Sequence, residues 1–188
     1  MRIISGSAGG RRLFTPKDLR IRPTSDRVKE ALFSILTARL GSFTGIRVLD
    51  LFAGTGNLGI EALSRGADSA LFVDENRDAA ALAARNLELS GFADRGKVVR
   101  KDALSLLKHM ERTGTHWDLV FLDPPYGKGL PERALQLLAS SSLVDGTSLI
   151  VVETAAGEAL PDAIGRLRVS DRRIYGDTAI TFYSCTGE

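Results

Sequence analysis

The segment Asp123-Pro124-Pro125-Tyr126 has the residue types that chemistry on an amino group requires. Consecutive prolines cannot continue a central strand, and they stiffen the turn after the apolar run at 117–123. The exocyclic amine of a nucleobase is a poor nucleophile because its lone pair is delocalised into the ring, so catalysis must orient the amine and accept its proton. Asp123 and the adjacent carbonyl supply acceptors, and Tyr126 offers a stacking face for an extruded base. The alternative is an ordinary loop turn in which Asp123 caps a helix and Tyr126 is partly buried.

A glycine turn, Gly54-Thr55-Gly56-Asn57-Leu58-Gly59, follows an earlier apolar run at 46–52. Glycines let the backbone pass close to a ligand at the carboxyl end of a strand. Dinucleotide-binding and S-adenosylmethionine-binding folds share this pattern. Asp50 precedes the first glycine by four residues, where a carboxylate would repel a pyrophosphate and suits a cationic ligand. S-adenosylmethionine carries an ammonium and a sulfonium and no phosphate, so the turn favours that cofactor.

Two further aspartates, Asp74 and Asp102, follow the next two apolar runs along the chain. We expect the oxygens of Asp74 to accept both ribose hydroxyls of a bound nucleoside, and Asp102 to accept from its adenine amino group. Helix capping is the alternative for both residues, because strand-end aspartates often cap the helix that follows. We favour cofactor contact, since Asp50, Asp74 and Asp102 end three successive strands on one side of the predicted sheet.

The chain around these motifs alternates apolar runs with helical patterns. Helix-start residues at 23–26, followed by apolar residues at i, i+3, i+4 and i+7, predict an amphipathic helix that ends at Gly41. Further helices are predicted near 57–65, 76–90, 103–112 and 131–140, with strands between them. This alternation predicts an α/β fold with a doubly wound, Rossmann-like, mostly parallel sheet and helices on both faces. The runs RLRVSDRRIYG and TAITFYS predict a C-terminal hairpin that adds an antiparallel strand.

The first 29 residues are basic, with eight lysines and arginines against two aspartates, whereas the rest of the chain has a formal charge of −4. A basic segment on an acidic body is typical of a protein that binds a polyanion, since each neutralised phosphate releases counterions. Apolar residues on both sides of the SGSAGG turn predict short paired strands. We therefore predict a basic N-terminal hairpin arm at 1–24 and a cofactor-binding domain at 25–188; a solvated, flexible N-terminus is the alternative.

Composition excludes several other classes of protein. The 188 residues are 44% hydrophobic and 26% charged, which is typical of a globular protein with a real core. The single Cys185 cannot form an internal disulfide, and the distant His109 and His116 offer no zinc cluster, so no metal is expected. No segment approaches the roughly 18 to 20 apolar residues that cross a bilayer. We expect a cytoplasmic monomer that does not bind membranes.

The motifs in combination resemble a known family. D-x-F-x-G-x-G after the first strand and D-P-P-Y after the fourth resemble the class I S-adenosylmethionine-dependent methyltransferases that act on exocyclic amino groups of nucleobases. The finer similarity is to the bacterial small-subunit (16S) ribosomal RNA guanine-N2 methyltransferases, and it runs from Met1 to about Tyr183. It rests, in chain order, on MRIISGSAGGRRL, RPTSDRVKEALFSIL, LDLFAGTGNLGIEALSRGA and the DPPY turn.

This resemblance implies methyl transfer from S-adenosylmethionine to the N2 amine of a guanine in ribosomal RNA, within an assembling or assembled small subunit. Catalysis is implied for the turn formed by Asp123, Pro124, Pro125 and Tyr126. Cofactor binding is implied for Asp50, Phe52, Gly54, Gly56, Asp74, Asp102 and Ala103. RNA contact is implied for Arg11, Arg12, Arg22, Thr24 and Arg27.

Three other functions compete with this one. Methylation of adenine N6 in DNA or RNA uses the same chemistry, and D-P-P-Y permits both amines. A sequence-specific DNA enzyme, however, needs a module that reads base edges, and only a short arm is available. Only the G-x-G-x-x-G pattern favours a nicotinamide-dependent (NAD) oxidoreductase. Asp50 and the DPPY turn would have no role in such an enzyme. A non-catalytic RNA-binding protein would not need the intact Asp123 turn.

Overall fold

The computed structural model describes residues 1–15, 26–111 and 114–186. Within these residues the chain forms five helices, all close to the predicted ones: α1 (Asp26–Leu40), α2 (Asn57–Ser64), α3 (Arg77–Ser90), α4 (Ala103–Met110) and α5 (Leu130–Ala139). The strands are β1 (Arg47–Leu51), β2 (Ser69–Asp74), β3 (Gly96–Arg100), β4 (Leu119–Leu122), β5 (Leu149–Ala155), β6 (Ala163–Ile164), β7 (Leu167–Tyr175) and β8 (Thr178–Cys185). They form one sheet in the order β3-β2-β1-β4-β5-β8-β7-β6. The predicted α/β fold is therefore confirmed.

The chain divides into two compact units, of which the first spans Met1–Arg100. In this unit β1, β2 and β3 pair in parallel, with Leu49 opposite Leu71 and Val73 opposite Val99. All residues of β1 after Arg47 are buried, because a parallel sheet is covered on both faces. Gly59 allows α2 to lie close to the sheet, since a Cβ there would come within 2.4 Å of the Phe72 ring.

The second unit spans Lys101–Glu188 and contains the C-terminal hairpin. β4 and β5 pair in parallel, whereas β8 pairs antiparallel with β5 on one side and with β7 on the other. Gly176, at a φ of 61°, stands in the predicted Gly-Asp turn between β7 and β8. This left-handed conformation is open to glycine at little cost and suits a tight hairpin.

The described part of the arm is a hairpin that docks on α2. In the described part of the arm, the predicted short strands are reduced to one isolated antiparallel bridge between Arg2 and Arg12, beside which the amide of Ile3 donates to the carbonyl of Arg11 over 2.9 Å. The chain passes α2 so closely that a Cβ on Gly6 would lie 1.9 Å from the carbonyl oxygen of Ser64. The predicted boundary between residues 24 and 25 lies outside the described residues, as does the predicted helix start at 23–25.

The described residues contain neither a candidate membrane span nor a candidate metal cluster. None of the helices in the described ranges has the length and apolar character that a membrane span needs. The same part of the chain contains no cluster of three or more His, Cys, Asp and Glu side chains that could hold a metal ion.

Candidate functional site

The loop after β1, at residues 52–56 and called here the glycine loop, turns through three left-handed residues. Gly54 and Gly56 have φ values of 53° and 78°, and Phe52 adopts a φ of 62°. This conformation costs a side-chain-bearing residue on the order of 1–3 kcal/mol, and such residues cluster at functional sites. The loop is tied to β2, because the amide of Ala53 donates to the carbonyl of Val73 over 2.9 Å. Strain held by a neighbouring strand marks this loop as a ligand-binding candidate.

The two glycines of the glycine loop have different surroundings: there is open space beside Gly54 but not beside Gly56. A Cβ added to Gly54 would meet no atom within 4 Å, whereas one on Gly56 would lie 3.1 Å from Ile60 Cδ1. Gly54 therefore faces open space, and Gly56 faces the packed helix. The open side fits the close backbone approach that a nucleoside cofactor requires.

Asp74, at the end of β2, hydrogen-bonds to the backbone of two loops: the glycine loop after β1 and the loop that follows β2. Its Oδ2 accepts from the amide of Gly54 at 2.8 Å, and its Oδ1 accepts from the amide of Asn76 at 2.8 Å. The capping alternative fails for this residue, because the side chain of Asn76 caps α3 by accepting from Asp78 and Ala79. Each carboxylate oxygen has a second lone pair, so Asp74 retains the capacity to accept ribose hydroxyls.

Asp50, near the end of β1, has 1% of its surface exposed. Its Oδ2 accepts from the amide of Gly59 at 2.9 Å. Burial raises the pKa of the Asp50 carboxyl to about 7, against the opposing effect of the Gly59 hydrogen bond, and the nearby Asp74 raises it further. A cation bound close to this carboxyl would favour its ionised form.

Asp102 and Ala103 open α4, where the capping alternative is observed. The side chain of Asp102 accepts from the amide of Ser105 at 2.8 Å, so it caps the helix. Asp102 is exposed and Ala103 is buried. A capping carboxylate still has free lone pairs, so contact with an adenine amino group remains a prediction beside the observed cap.

The turn Asp123–Tyr126, called here the acceptor turn, follows β4 directly. Asp123 is partly exposed, Pro124 is buried, and Pro125 and Tyr126 are exposed. Tyr126 is 47% exposed, and its hydroxyl reaches Glu153 on β5. The turn therefore presents a carboxylate and an aromatic ring at the end of a fully buried strand. About half of Tyr126 is covered, as the loop-turn alternative also expects, so its stacking role stays a prediction.

The arginines predicted to contact RNA are exposed where the structure describes them. Arg11, Arg12 and Arg27 all lie at the surface. Arg11 is steered towards α3, because its guanidinium donates to the carbonyl of Leu89. Arg22 and Thr24 lie outside the described residues, so their contact with RNA stays a prediction.

Sequence reasoning missed a buried ionic network between the arm and α2. Lys29 is one of the eight basic residues among the first 29, but its side chain is fully buried and its Nζ lies 3.3 Å from Glu61 Oε2. It also donates to Asn57 Oδ1 over 2.7 Å. Glu61 in turn accepts the amides of Ile4 at 2.7 Å and Ser5 at 3.1 Å. Lys29 thus holds the arm in place and is not available to RNA.

Asn86 on α3 is a second residue that the sequence analysis did not single out. Its side chain is buried; Oδ1 accepts the amide of Phe14 at 2.7 Å, and Nδ2 donates to the carbonyl of Thr55 over 2.9 Å. One amide therefore connects the end of the described arm with the glycine loop. A single asparagine in an amphipathic helix forms no sequence pattern from which such a contact could be predicted.

Comparison with known proteins gives a consistent result. The chain is 34% identical to ribosomal RNA small subunit methyltransferase D of Escherichia coli over 183 residues, which covers 97% of this chain and 89% of that protein. It superposes with a TM-score of 0.86 on the solved structure of the Escherichia coli protein yhhF, at 34% identity and with 100% and 99% of the two chains covered.

The solved structure of SMU.776 in complex with SAH is a more distant neighbour. It has a TM-score of 0.63 and 16% identity, and covers 80% of this chain and 48% of that one. At that identity the likeness shows the fold alone, which is the class I methyltransferase fold predicted from the motifs. A family profile described as conserved hypothetical protein 95 matches residues 1–184. The chain belongs to this family.

Proposed function

We propose that this protein transfers a methyl group from S-adenosylmethionine to the exocyclic N2 amine of a guanine in small-subunit ribosomal RNA. The observation that carries the proposal is the acceptor turn, which presents the Asp123 carboxylate and the exposed Tyr126 ring at the end of β4. The identity to ribosomal RNA small subunit methyltransferase D, over nearly the whole chain, supports ribosomal RNA as the substrate.

The glycine loop and the three strand-end aspartates fit the cofactor. Asp74 would accept the ribose hydroxyls, Asp102 the adenine amino group, and Asp50 would favour the cationic methionine end. Phe52, Gly54 and Gly56 would shape the cleft, and Ala103 would pack beside the adenine. When bound, S-adenosylmethionine supplies a methyl group already activated by the sulfonium.

The acceptor turn carries the remaining chemistry. Asp123 accepts a hydrogen bond from the target amine and thereby aims its lone pair, while the neighbouring backbone carbonyl accepts the second N–H. Tyr126 stacks on the extruded base and fixes its plane, with Pro124 and Pro125 stiffening the backbone between the two side chains. Because the donor is activated, orientation contributes most of the rate.

Asp74→Ala is expected to weaken S-adenosylmethionine binding by about 1.5–3 kcal/mol, the scale of hydrogen bonds to a charged group. Titration calorimetry measures the dissociation constant. The control is Asp68→Ala, which removes an aspartate that lies just before β2 and accepts the amide of Gly45. An unchanged dissociation constant for Asp74→Ala would mean that the ribose binds elsewhere.

The arm supplies the phosphate contacts of the proposal. Replacing Arg11 and Arg12 by glutamine is expected to weaken RNA binding and to make its dependence on salt shallower by about 1.5 in log–log slope, since each contact with single-stranded RNA contributes about 0.7. The measurement is the affinity for small-subunit RNA at several salt concentrations. Replacing the exposed Lys97 and Lys101 by glutamine is the control. Equal slopes in the arginine variant and the wild type would remove these arginines from the RNA interface.

The proposal is tested by offering labelled S-adenosylmethionine with small-subunit RNA, unmodified small subunits or duplex DNA as acceptor. Transfer to RNA or subunits alone supports it, and the preferred acceptor decides between naked RNA and an assembled particle. Transfer to DNA would favour the adenine-N6 alternative. The cytoplasmic location and monomeric state expected from composition stay predictions.

A further inference from the structure

The hydroxyl end of Tyr126 is held by two residues outside the acceptor turn. The Tyr126 Oη donates to Glu153 Oε1 over 3.4 Å, and the side chain of Thr178 also hydrogen-bonds to this hydroxyl. The residue as a whole remains 47% exposed. One end of the side chain is therefore anchored while its aromatic surface stays accessible.

Strand pairing explains why these two residues meet at one point. β5 and β8 pair antiparallel, with Glu153 opposite Ile180 and Ala155 opposite Thr178. Side chains two residues apart on a strand lie on the same face, and directly opposite residues share a face, so Glu153 and Thr178 are diagonal neighbours. Glu153 is 5% exposed, which limits the directions its carboxylate can take.

The backbone after Tyr126 does not provide this restraint. Gly127 and Gly129 adopt φ values of 73° and 61°, and a Cβ added to either would meet no atom within 4 Å. Glycine backbone is the most permissive in conformation. The prolines stiffen the backbone before Tyr126, but the glycines leave the backbone after it free to move. The orientation of the Tyr126 ring must therefore be fixed by contacts of its own side chain.

The hydroxyl has the protonation state that this anchor needs. Burial raises the pKa of Tyr126 to about 12, and the negative charges of Glu153 and Asp123 add to the effect. The hydroxyl therefore remains protonated at neutral pH and donates to the Glu153 carboxylate, while one of its lone pairs accepts from Thr178.

We propose that Glu153 and Thr178 are positioning residues, which hold the Tyr126 ring at the angle at which it stacks on the target base. The inference rests on the proposed function, because it assigns these residues to the base-stacking step of methyl transfer. Loss of the anchor frees the ring to rotate, so the base is held less tightly and its amine is aimed less well. Cofactor binding does not depend on the anchor.

The test combines Tyr126→Phe, Glu153→Gln and Thr178→Val, singly and in pairs with Tyr126→Phe, in the full-length protein. The measurements are kcat and KM with small-subunit RNA, the dissociation constant of S-adenosylmethionine, and the melting temperature. Thr178→Val removes one hydrogen bond and is expected to lower kcat/KM for RNA by roughly three- to tenfold. Tyr126→Phe removes both hydrogen bonds and should lower kcat/KM at least as much. Glu153→Gln keeps an acceptor oxygen and removes only the charge, so its effect should be smaller. Cofactor affinity is expected to be unchanged. Thr178→Ser keeps the hydroxyl and should restore most of the activity.

The pairwise variants decide the inference. In the Tyr126→Phe background the anchor is already absent, so Thr178→Val should have little further effect and Glu153→Gln a smaller effect than in the wild type. The proposal would be overturned if the fold-losses of the two single variants simply multiplied in the double variant. It would also be overturned if each loss of activity were accompanied by a fall in melting temperature large enough to explain it. Glu132→Gln, at an exposed glutamate of α5, is the control. Inactivity of the wild-type protein on every RNA substrate would instead refute the proposed function.

Discussion

Asp123→Ala is expected to reduce methyl transfer by roughly 10²- to 10⁴-fold, the range over which a positioned proton acceptor contributes. The variant removes the side chain that aims the lone pair of the target amine and leaves the cofactor residues of the glycine loop in place. The dissociation constant of S-adenosylmethionine should therefore stay within a few-fold of the wild-type value. Turnover measurements and calorimetry on the same preparation check both expectations.

Asp123→Asn separates the two contributions of this residue. An asparagine keeps a carbonyl oxygen that can accept from the amine but loses the negative charge. We expect Asp123→Asn to retain clearly more activity than Asp123→Ala, because orientation contributes most of the rate. Near-normal turnover in the alanine variant would remove Asp123 from the mechanism.

Lys29→Met is expected to lower the free energy of unfolding by about 3–5 kcal/mol, the typical cost of removing one partner from a buried ion pair. Both side chains of the Lys29–Glu61 pair are fully buried. Burial lowers the pKa of Lys29, while the adjacent Glu61 opposes that effect. Without the ammonium, the Glu61 carboxylate keeps Arg65 at 2.9 Å but loses a buried cation. Because the arm is bound to Glu61 through its backbone amides, we expect the arm to be held less tightly in this variant.

Urea denaturation measures the stability of this variant. Lys97→Met, at an exposed lysine of β3, is the control and should change stability by less than about 0.5 kcal/mol. The double variant Lys29→Met/Glu61→Gln should recover part of the loss, because the buried side chain that has lost its lysine partner is then neutral. A Lys29→Met protein as stable as the Lys97→Met control would show that the buried pair does not stabilise the docked arm.

Most elements of the fold were predictable, since continuous apolar runs and amphipathic repeats mark them. The strand at Ser69–Asp74 lies between the helices predicted near 57–65 and 76–90, as expected, and α3 begins within one residue of its predicted start. The exception is β6, Ala163–Ile164, which is two residues long and carries no periodicity. A strand this short forms because β7 is available to pair with it.

The site was predictable where one short segment carries all its chemistry, as in the glycine loop and the acceptor turn. It was not predictable where residues far apart in the chain meet. Lys29 does lie on the buried stripe of α1 with Leu32, Phe33 and Leu36, but its partner Glu61 follows 32 residues later. Glu153 reaches the acceptor turn only through the order and register of the strands. A local pattern cannot encode either contact.

The most direct test of the proposed function is nucleoside analysis of small-subunit RNA after incubation with the purified protein and labelled S-adenosylmethionine. The substrate is RNA in unmodified small subunits, with Asp123→Ala as the inactive control. The proposal predicts label in N2-methylguanosine alone, present with the wild-type protein and absent with the variant. Label in N6-methyladenosine, or no transfer to RNA by a protein that binds the cofactor, would contradict it.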